Sequence, residues 1–216
     1  TQGLADYLKE QFPGRRISVV IGCDVRHNSD KFSRLCAEIL SANGIKAYLF
    51  DALRPVALLS YGVRHLNAAA GIVPPKYNGY KAYWDDGSQV VPPHDKGIID
   101  KVAGVKPEDI KFTPDENLIE IIGEKVDKAF VDAAVANGSS DATGRDDFKI
   151  VYTPIHGTSF KAMIPALKEA GFKNVITVPE QMIPSGDFPT VKSPNPENPE
   201  ALSMAMDLAY KTGADM

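Results

Sequence analysis

Residues 17–50, "ISVVIGCDVRHNSDKFSRLCAEILSANGIKAYLF", decide the fold. Ile17-Ser18-Val19-Val20-Ile21 is a short apolar run of the buried-strand type. After the polar stretch Asp24 to Asn28, Ser29 is a residue type that caps helices. Phe32, Leu35, Cys36, Ile39 and Leu40 then recur at helical spacing, and Gly44 supplies the stop. Ile45 to Phe50 is a second apolar run. Strand, helix and strand in this order predict a crossover with parallel pairing, hence an α/β architecture.

The same pattern returns later. Phe148 to Tyr152 reads as a strand and Thr153 to Thr158 as a polar loop. Phe160, Met163, Ile164 and Leu167 form a helical stripe stopped by Gly171, and Asn174 to Val178 is the next strand. Two units of the same order and spacing suggest an internal duplication. Between them, Pro92 to Val105 reads as a short helix. The periodic segment Glu116 to Asn137 reads as one long helix with Leu118, Ile121, Ile122, Val126 and Phe130 on a single face. Gly138 to Asp147 then reads as a linker, which divides the chain into domains 1–138 and 139–216.

Bulk properties narrow the class. The chain has 216 residues, 44% hydrophobic and 24% charged, which suits a globular protein of one or two domains. Its net charge of -4 and lack of a basic block give no electrostatic case for nucleic acid. No apolar run approaches the roughly 18 residues of a membrane span, so a cytoplasmic location is expected. Cys23 and Cys36 cannot form a disulfide framework, and four scattered histidines show no metal-ligand spacing. Cys36 falls on a helical stripe as a small buried hydrophobe, whereas Cys23 ends a strand and is expected to be partly exposed. The chain opens at Thr1, and Gly213-Ala214-Asp215-Met216 resembles the entry to a strand. It is expected to be part of a larger protein.

In open α/β sheets, ligands bind beyond the carboxyl ends of the strands. Three stretches occupy such places. Gly22 to Ser29 sets Asp24, Arg26 and His27 where a strand meets a helix N-terminus; the plainer alternative is a solvated loop with an Asp/Arg pair. Tyr77-Asn78-Gly79-Tyr80-Lys81 is a tight-turn signal that ends on a lysine, either an exposed hairpin residue or a phosphate-binding, proton-transferring amine. Thr153 to Thr158 contains His156, with no carboxylate at a telling spacing; it reads as a hydrogen-bonded loop residue at a domain interface.

These stretches resemble the α-D-phosphohexomutase family, the phosphoglucomutases and phosphomannomutases. The resemblance rests on "GCDVRHNSDKFS", "RPVALLSYGVRHLNAAAGIV", "PPKYNGYKAYWDDGSQ", "YTPIHGTSF" and "FPTVKSPNPENPEAL", in that order along the whole chain. It implies two tandem α/β domains with mixed sheets flanked by helices, the second incomplete before the metal loop. It further implies an isomerase that moves a phosphoryl group between the 1- and 6-hydroxyls of a hexose. An enzyme phosphoserine, Mg²⁺ and a hexose 1,6-bisphosphate intermediate would take part. Lys81 matches the family's general acid/base, and Arg26 the arginine that supports the serine loop. Asn78, Gly79 and Tyr80 match the turn that aims Lys81.

The same resemblance exposes a departure. The family's Thr-Ala-Ser-His-Asn loop belongs between Val73 and Pro74, which are adjacent in this sequence. The main Mg²⁺ ligands are expected beyond Met216, as are domains III and IV, so no metal ligand is assigned here. The expected partners are small sugar phosphates, with neither nucleic acid nor membrane, and this chain alone is expected to be inactive. A phosphopentomutase, a glucose-1,6-bisphosphate synthase-like enzyme, and a non-catalytic sugar-phosphate-binding relative with a deleted serine loop remain alternatives.

Overall fold

The computed structural model describes residues 1–74, 80–139 and 141–216. The chain forms two compact units, Thr1–Val126 and Asp127–Met216. The division falls inside helix α5 (Glu124–Ala136), and the expected boundary after Gly138 lies just past the end of that helix.

In the first unit, strands β1 (Ser18–Ile21), β2 (Lys46–Phe50), β3 (Ala70–Val73), β4 (Lys81–Tyr83) and β5 (Ile119–Ile122) form one sheet of order β4-β3-β1-β2-β5. β1 pairs in parallel with both β2 and β3, β2 pairs in parallel with β5, and only β4 runs antiparallel, against β3. The crossover helix from β1 to β2 is α2 (Ser29–Ala42), as the opening stretch predicts.

Strand alternation divides the core between two faces. Val19, Ile21, Ala47, Leu49, Ala70, Ile72 and Ala82 join Leu4 and Leu8 of α1 (Gln2–Gln11), Cys36 and Leu40 of α2, and Ile98 of α4 (His94–Gly104). The opposite face meets α3 (Val56–His65). There β3 approaches so closely that a Cβ on Gly71 would lie 2.6 Å from Val63 Cγ2 and 3.2 Å from Leu59 Cδ2. Helices on both faces explain why the parallel strands are apolar throughout.

The long helix expected over Glu116–Asn137 is instead a short 3-10 turn (Glu116–Leu118), strand β5 and the shorter helix α5. Two physical features favour this division. Ile119, Ile121 and Ile122 are β-branched, and pairing with β2 satisfies their backbone groups. Gly123 then passes so near Asp51 that a Cβ would sit 2.7 Å from its Oδ2. Periodicity alone cannot tell a short apolar strand followed by a helix from one longer helix.

The second unit repeats the strand–helix–strand order. β6 (Lys149–Tyr152) pairs in parallel with β7 (Asn174–Thr177) across α6 (Phe160–Glu169), and α7 (Pro199–Thr212) packs against β6. Beyond α7, the main-chain amide of Asp215 donates to the Lys149 carbonyl at 2.9 Å, and that of Val151 to the Met216 carbonyl at 2.8 Å.

Gly71→Ala is expected to lower the stability of the first unit by about 1–3 kcal/mol, the usual cost of overpacking. Gly104→Ala adds a methyl with nothing within 4 Å and is expected to be neutral or stabilising by up to about 1 kcal/mol. Urea unfolding of the two variants measures both; equal stability of Gly71→Ala and the parent would refute the close approach.

Candidate functional site

Parallel pairing brings the candidate stretches of the first unit to one end of the sheet. Ile21 is level with Ile72, and the Gly22 amide donates to the Ile72 carbonyl at 2.9 Å. The loop after β1 and the chain leaving β3 at Val73 therefore depart together. β4 returns antiparallel with Lys81 opposite Val73. Residues Asn78 and Gly79 of the expected turn lie outside the described residues.

The loop Cys23–Asn28 is held from within. Asp24 accepts the main-chain amide of Arg26 at 3.0 Å and its Nε at 2.8 Å, and the Arg26 Nη2 also reaches the same carboxylate. The fork is thus set in one orientation, with both side chains about four-fifths buried, at 19% and 20% exposure. Ser29 does not cap α2 as its sequence position suggests. Asn28, in the left-handed conformation at φ 62°, holds that place. Ser29 is buried instead and its hydroxyl accepts the Asp24 amide at 3.1 Å, so it braces the loop. Ser33, one turn on, donates to the Gly22 carbonyl at 2.9 Å.

Lys81 takes its direction from its neighbours. Ala82 belongs to the core shared with α1 and α2. Lys81, like its partner Val73, faces the α3 side. Tyr80 is 38% exposed as a whole, but its hydroxyl is buried against Thr1 and Cys36, and burial foremost drives the phenol well above its usual pKa. Tyr80 thereby ties the start of β4 to α2. The Lys81 side chain is half-buried and forms no hydrogen bond or ion pair with any described residue. A partly desolvated amine without a carboxylate partner retains all its donors for an incoming anion.

Arg54 is a residue that sequence reasoning passed over. It is only 4% exposed, donates to Asp51 Oδ1 at 3.0 Å and to the Leu53 carbonyl at 3.1 Å, and lies 5.5 Å over the Phe50 ring. Its amide donates to the Cys23 carbonyl at 3.2 Å, which joins the loops after β1 and β2. The available signal was an arginine fixed before proline at a helix start. A cavity of about 470 Å³ opens beside these loops and includes Cys23, Asp30 and Asp51. Its two carboxylates disfavour a phosphate ester, and neither Arg26 nor Lys81 lines it. Cys23 is buried rather than partly exposed. Burial, then the carboxylates of Asp24 and Asp30, push its thiol up to about 11.

In the second unit, His156 is 1% exposed and sits in a polar network. Nδ1 lies 2.9 Å from the Ile183 carbonyl, which can only accept, so Nδ1 carries the proton. Nε2 lies 2.9 Å from the Thr190 hydroxyl, within hydrogen-bond distance. Gln181 donates to the same hydroxyl at 3.0 Å and accepts from Thr153 at 2.6 Å. His156 is a hydrogen-bonded loop residue as expected, at φ 59° and next to Ile155 at φ 48°. The network braces the loop that begins at Ile183.

The family comparison agrees with both units. Residues 1–109 match the family model described as phosphoglucomutase/phosphomannomutase, alpha/beta/alpha domain I, and residues 128–216 match that for domain II. A probable phosphoribomutase of Schizosaccharomyces pombe is 38% identical over 231 aligned positions, covering 99% of this chain and 39% of its own length. A probable phosphomannomutase of Haemophilus influenzae is 36% identical, with 99% and 45% covered. A human phosphopentomutase is 32% identical, with 99% and 38% covered. The crystal structure of a putative phosphomannomutase from Thermus thermophilus superposes with a TM-score of 0.81 at 25% identity, covering 96% of this chain and 46% of that one. The chain thus spans less than half the length of these relatives. Among the described residues, no helix is long and apolar enough to cross a membrane.

Two outcomes are expected from this geometry. Thr190→Val leaves the His156 Nε2 and the Gln181 amide without their shared partner, and is expected to cost about 1–3 kcal/mol in chemical denaturation; an unchanged midpoint would contradict the network. The folded Cys23 thiol ionises at about 11 against the usual 9.0. From pH 9.0 upward, therefore, the unfolded chain releases a proton that the folded chain keeps, and stability falls as pH rises through that window. Cys23→Ala is expected to lose this part of the pH dependence, read from urea midpoints on either side of pH 9.0.

Proposed function

The chain belongs to the phosphoglucomutase/phosphomannomutase family, and on that premise we propose that it is the acid/base-bearing part of a sugar-phosphate mutase. Lys81 carries the proposal: a half-buried amine with no hydrogen bond or ion pair among the described residues, opposite Val73, at the sheet end where the Asp24–Arg26 loop also emerges. In the proposed reaction, an enzyme phosphoserine passes its phosphoryl group to one hydroxyl of a sugar monophosphate. The bisphosphate reorients, and the other phosphoryl group returns to the serine. Lys81 takes the proton from the attacking hydroxyl and returns it in the reverse sense. Arg26, its fork fixed by Asp24, steadies the segment that carries the serine.

The serine itself is the residue this chain does not supply. In the proposal it lies between Val73 and Pro74, where the sequence runs straight from one to the other. The alignment with the Schizosaccharomyces pombe relative is longer than this chain, so that relative carries residues without a counterpart here. Mg²⁺ belongs to the proposed whole reaction, with further domains recognising the sugar. Among the described residues, no group of three His, Cys, Asp or Glu could hold a metal, so no step through the ion is derived from this chain. The proposed first domain runs to residue 138 and the second begins at 139.

Relatives named phosphoribomutase and phosphopentomutase support a second reading, in which the sugar is a pentose. The experiment is a mutase assay of the full-length protein with Mg²⁺ on glucose 1-phosphate, mannose 1-phosphate and ribose 1-phosphate. Conversion of a hexose phosphate to its 6-phosphate is expected; conversion of ribose 1-phosphate alone selects the pentose reading, and no conversion of any sugar sinks both. Lys81→Ala is expected to lower kcat at least 10²-fold without unfolding the protein. The 216-residue chain by itself is expected to show no turnover.

A further inference from the structure

The opposite, amino-terminal end of the first unit's sheet holds a second cavity, of about 760 Å³. That volume suits a small organic ligand. Four cations line it, Lys9, Arg15, Arg16 and Lys46, and no carboxylate does. The chain carries 28 acidic against 24 basic residues, so this separation of sign runs against its overall balance. Four separate segments supply the charged wall and its support: α1, the loop before β1, β2 and the turn after α3.

Neutral groups hold Lys9 and Arg15, and one carboxylate stands beside each of Arg15 and Lys46. Arg15 donates from Nη2 to the main-chain carbonyl of Asn67 at 3.0 Å and to its Oδ1 at 3.2 Å. Its one acidic neighbour, Asp85, is 3.8 Å away. Lys46 pairs with Glu120 at 2.6 Å and lies 4.6 Å over the Tyr48 ring. Lys9 donates to the neutral Asn43 side chain at 3.1 Å. Arg16 is exposed and its side chain has no partner among the described residues. Asp85 and Glu120 partly offset Arg15 and Lys46, Asp6 partly offsets Lys9, and Arg16 forms no ion pair among the described residues. Burial foremost, and Lys111 next, lower the Lys9 pKa, against an opposing effect of Asp6. Ile17, Ile45, Leu66 and Tyr48 add apolar surface to the lining, which can serve as its floor.

We propose that this pocket binds a phosphate monoester of a small organic molecule, with the phosphate among the four cations and the organic part on the apolar floor. A pocket lined by one sign of charge concentrates the opposite ion, and arginine suits the planar, forked recognition of phosphate. The site is separate from the Lys81 end and does not depend on the mutase proposal.

Phenyl phosphate tests the proposal, since it offers a dianion and an apolar ring. Titrated into the isotopically labelled chain, it is expected to give saturable amide shifts at Ser18, Gly44 and Asn67. Arg16→Ala and Lys9→Gln are each expected to weaken binding about tenfold, the effect of one charge-assisted contact, whereas Lys81→Ala leaves it unchanged. Inorganic phosphate is expected to bind more weakly. Non-saturating shifts, shifts confined to the Val73–Lys81 end, or an Arg16→Ala variant of unaltered affinity would each overturn the proposal. Equal affinity for inorganic phosphate would overturn the role of the floor.

Discussion

Parallel pairing of β1 on both of its edges is the constraint from which the rest of the first unit follows. A parallel strand must be re-entered from its starting end, so α2 and α3 have to cross back over the sheet. Every loop that leaves β1, β2 or β3 then emerges at the same end. The hydrogen bond from Gly22 to Ile72 fixes the level at which two of those loops part. At that end stand an acid–arginine clamp after β1, a buried Arg54 after β2, and Lys81 where β4 returns beside β3. The opposite end, where strands begin, is separated from it by the length of the apolar strands. That separation leaves room in one small unit for the two proposed sites with different chemistry.

Much of this was legible because burial writes itself into spacing. The unit Ile17–Phe50 carries apolar residues at strand, helix and strand periods, and its parallel closure needed no further information. The second copy read equally well for the same reason. The segment Glu116–Asn137 failed because Leu118, Ile121 and Ile122 satisfy a helical stripe as well as an edge strand. Only the partner strand β2 separates the two, and a partner is not a local property. Leu35 shows the converse: it falls on the helical stripe yet is exposed, while Ser33 is buried in its stead. Ser33 earns that place by bonding the Gly22 carbonyl.

The candidate site was legible as a set of places more than as a set of interactions. Arg26 and Lys81 could be located after a strand and at a turn, and the resemblance gave them roles. That Asp24 clamps Arg26, that Ser29 supports the loop rather than the helix, and that Arg54 is buried are all consequences of tertiary packing. Hydroxyl and guanidinium groups have several possible partners within reach of a loop, and sequence does not rank them. His156 illustrates the limit well. Its network reaches Thr190, 34 positions away, and no carboxylate or spacing marks the pair.

The direction of Lys81 is the point at which fold and proposed chemistry meet. A strand has a side-chain period of two, so the positions of Ala82 in the core and of the Tyr80 hydroxyl against α2 leave Lys81 only the opposite face. A slip of one residue in the pairing with β3 would exchange them, burying an amine among aliphatic groups and exposing a phenol. Both errors are costly, so the register is strongly specified by the core and not by the lysine. The amine at the sheet edge is therefore held in place by residues that never touch a ligand. A loop inserted between Val73 and Pro74 would lengthen the connection without disturbing this register, because β3 and β4 are already joined by their own ladder. The strands thus provide a frame that does not depend on the nucleophile, and the proposed acid/base group stands opposite the very residue after which the serine is expected.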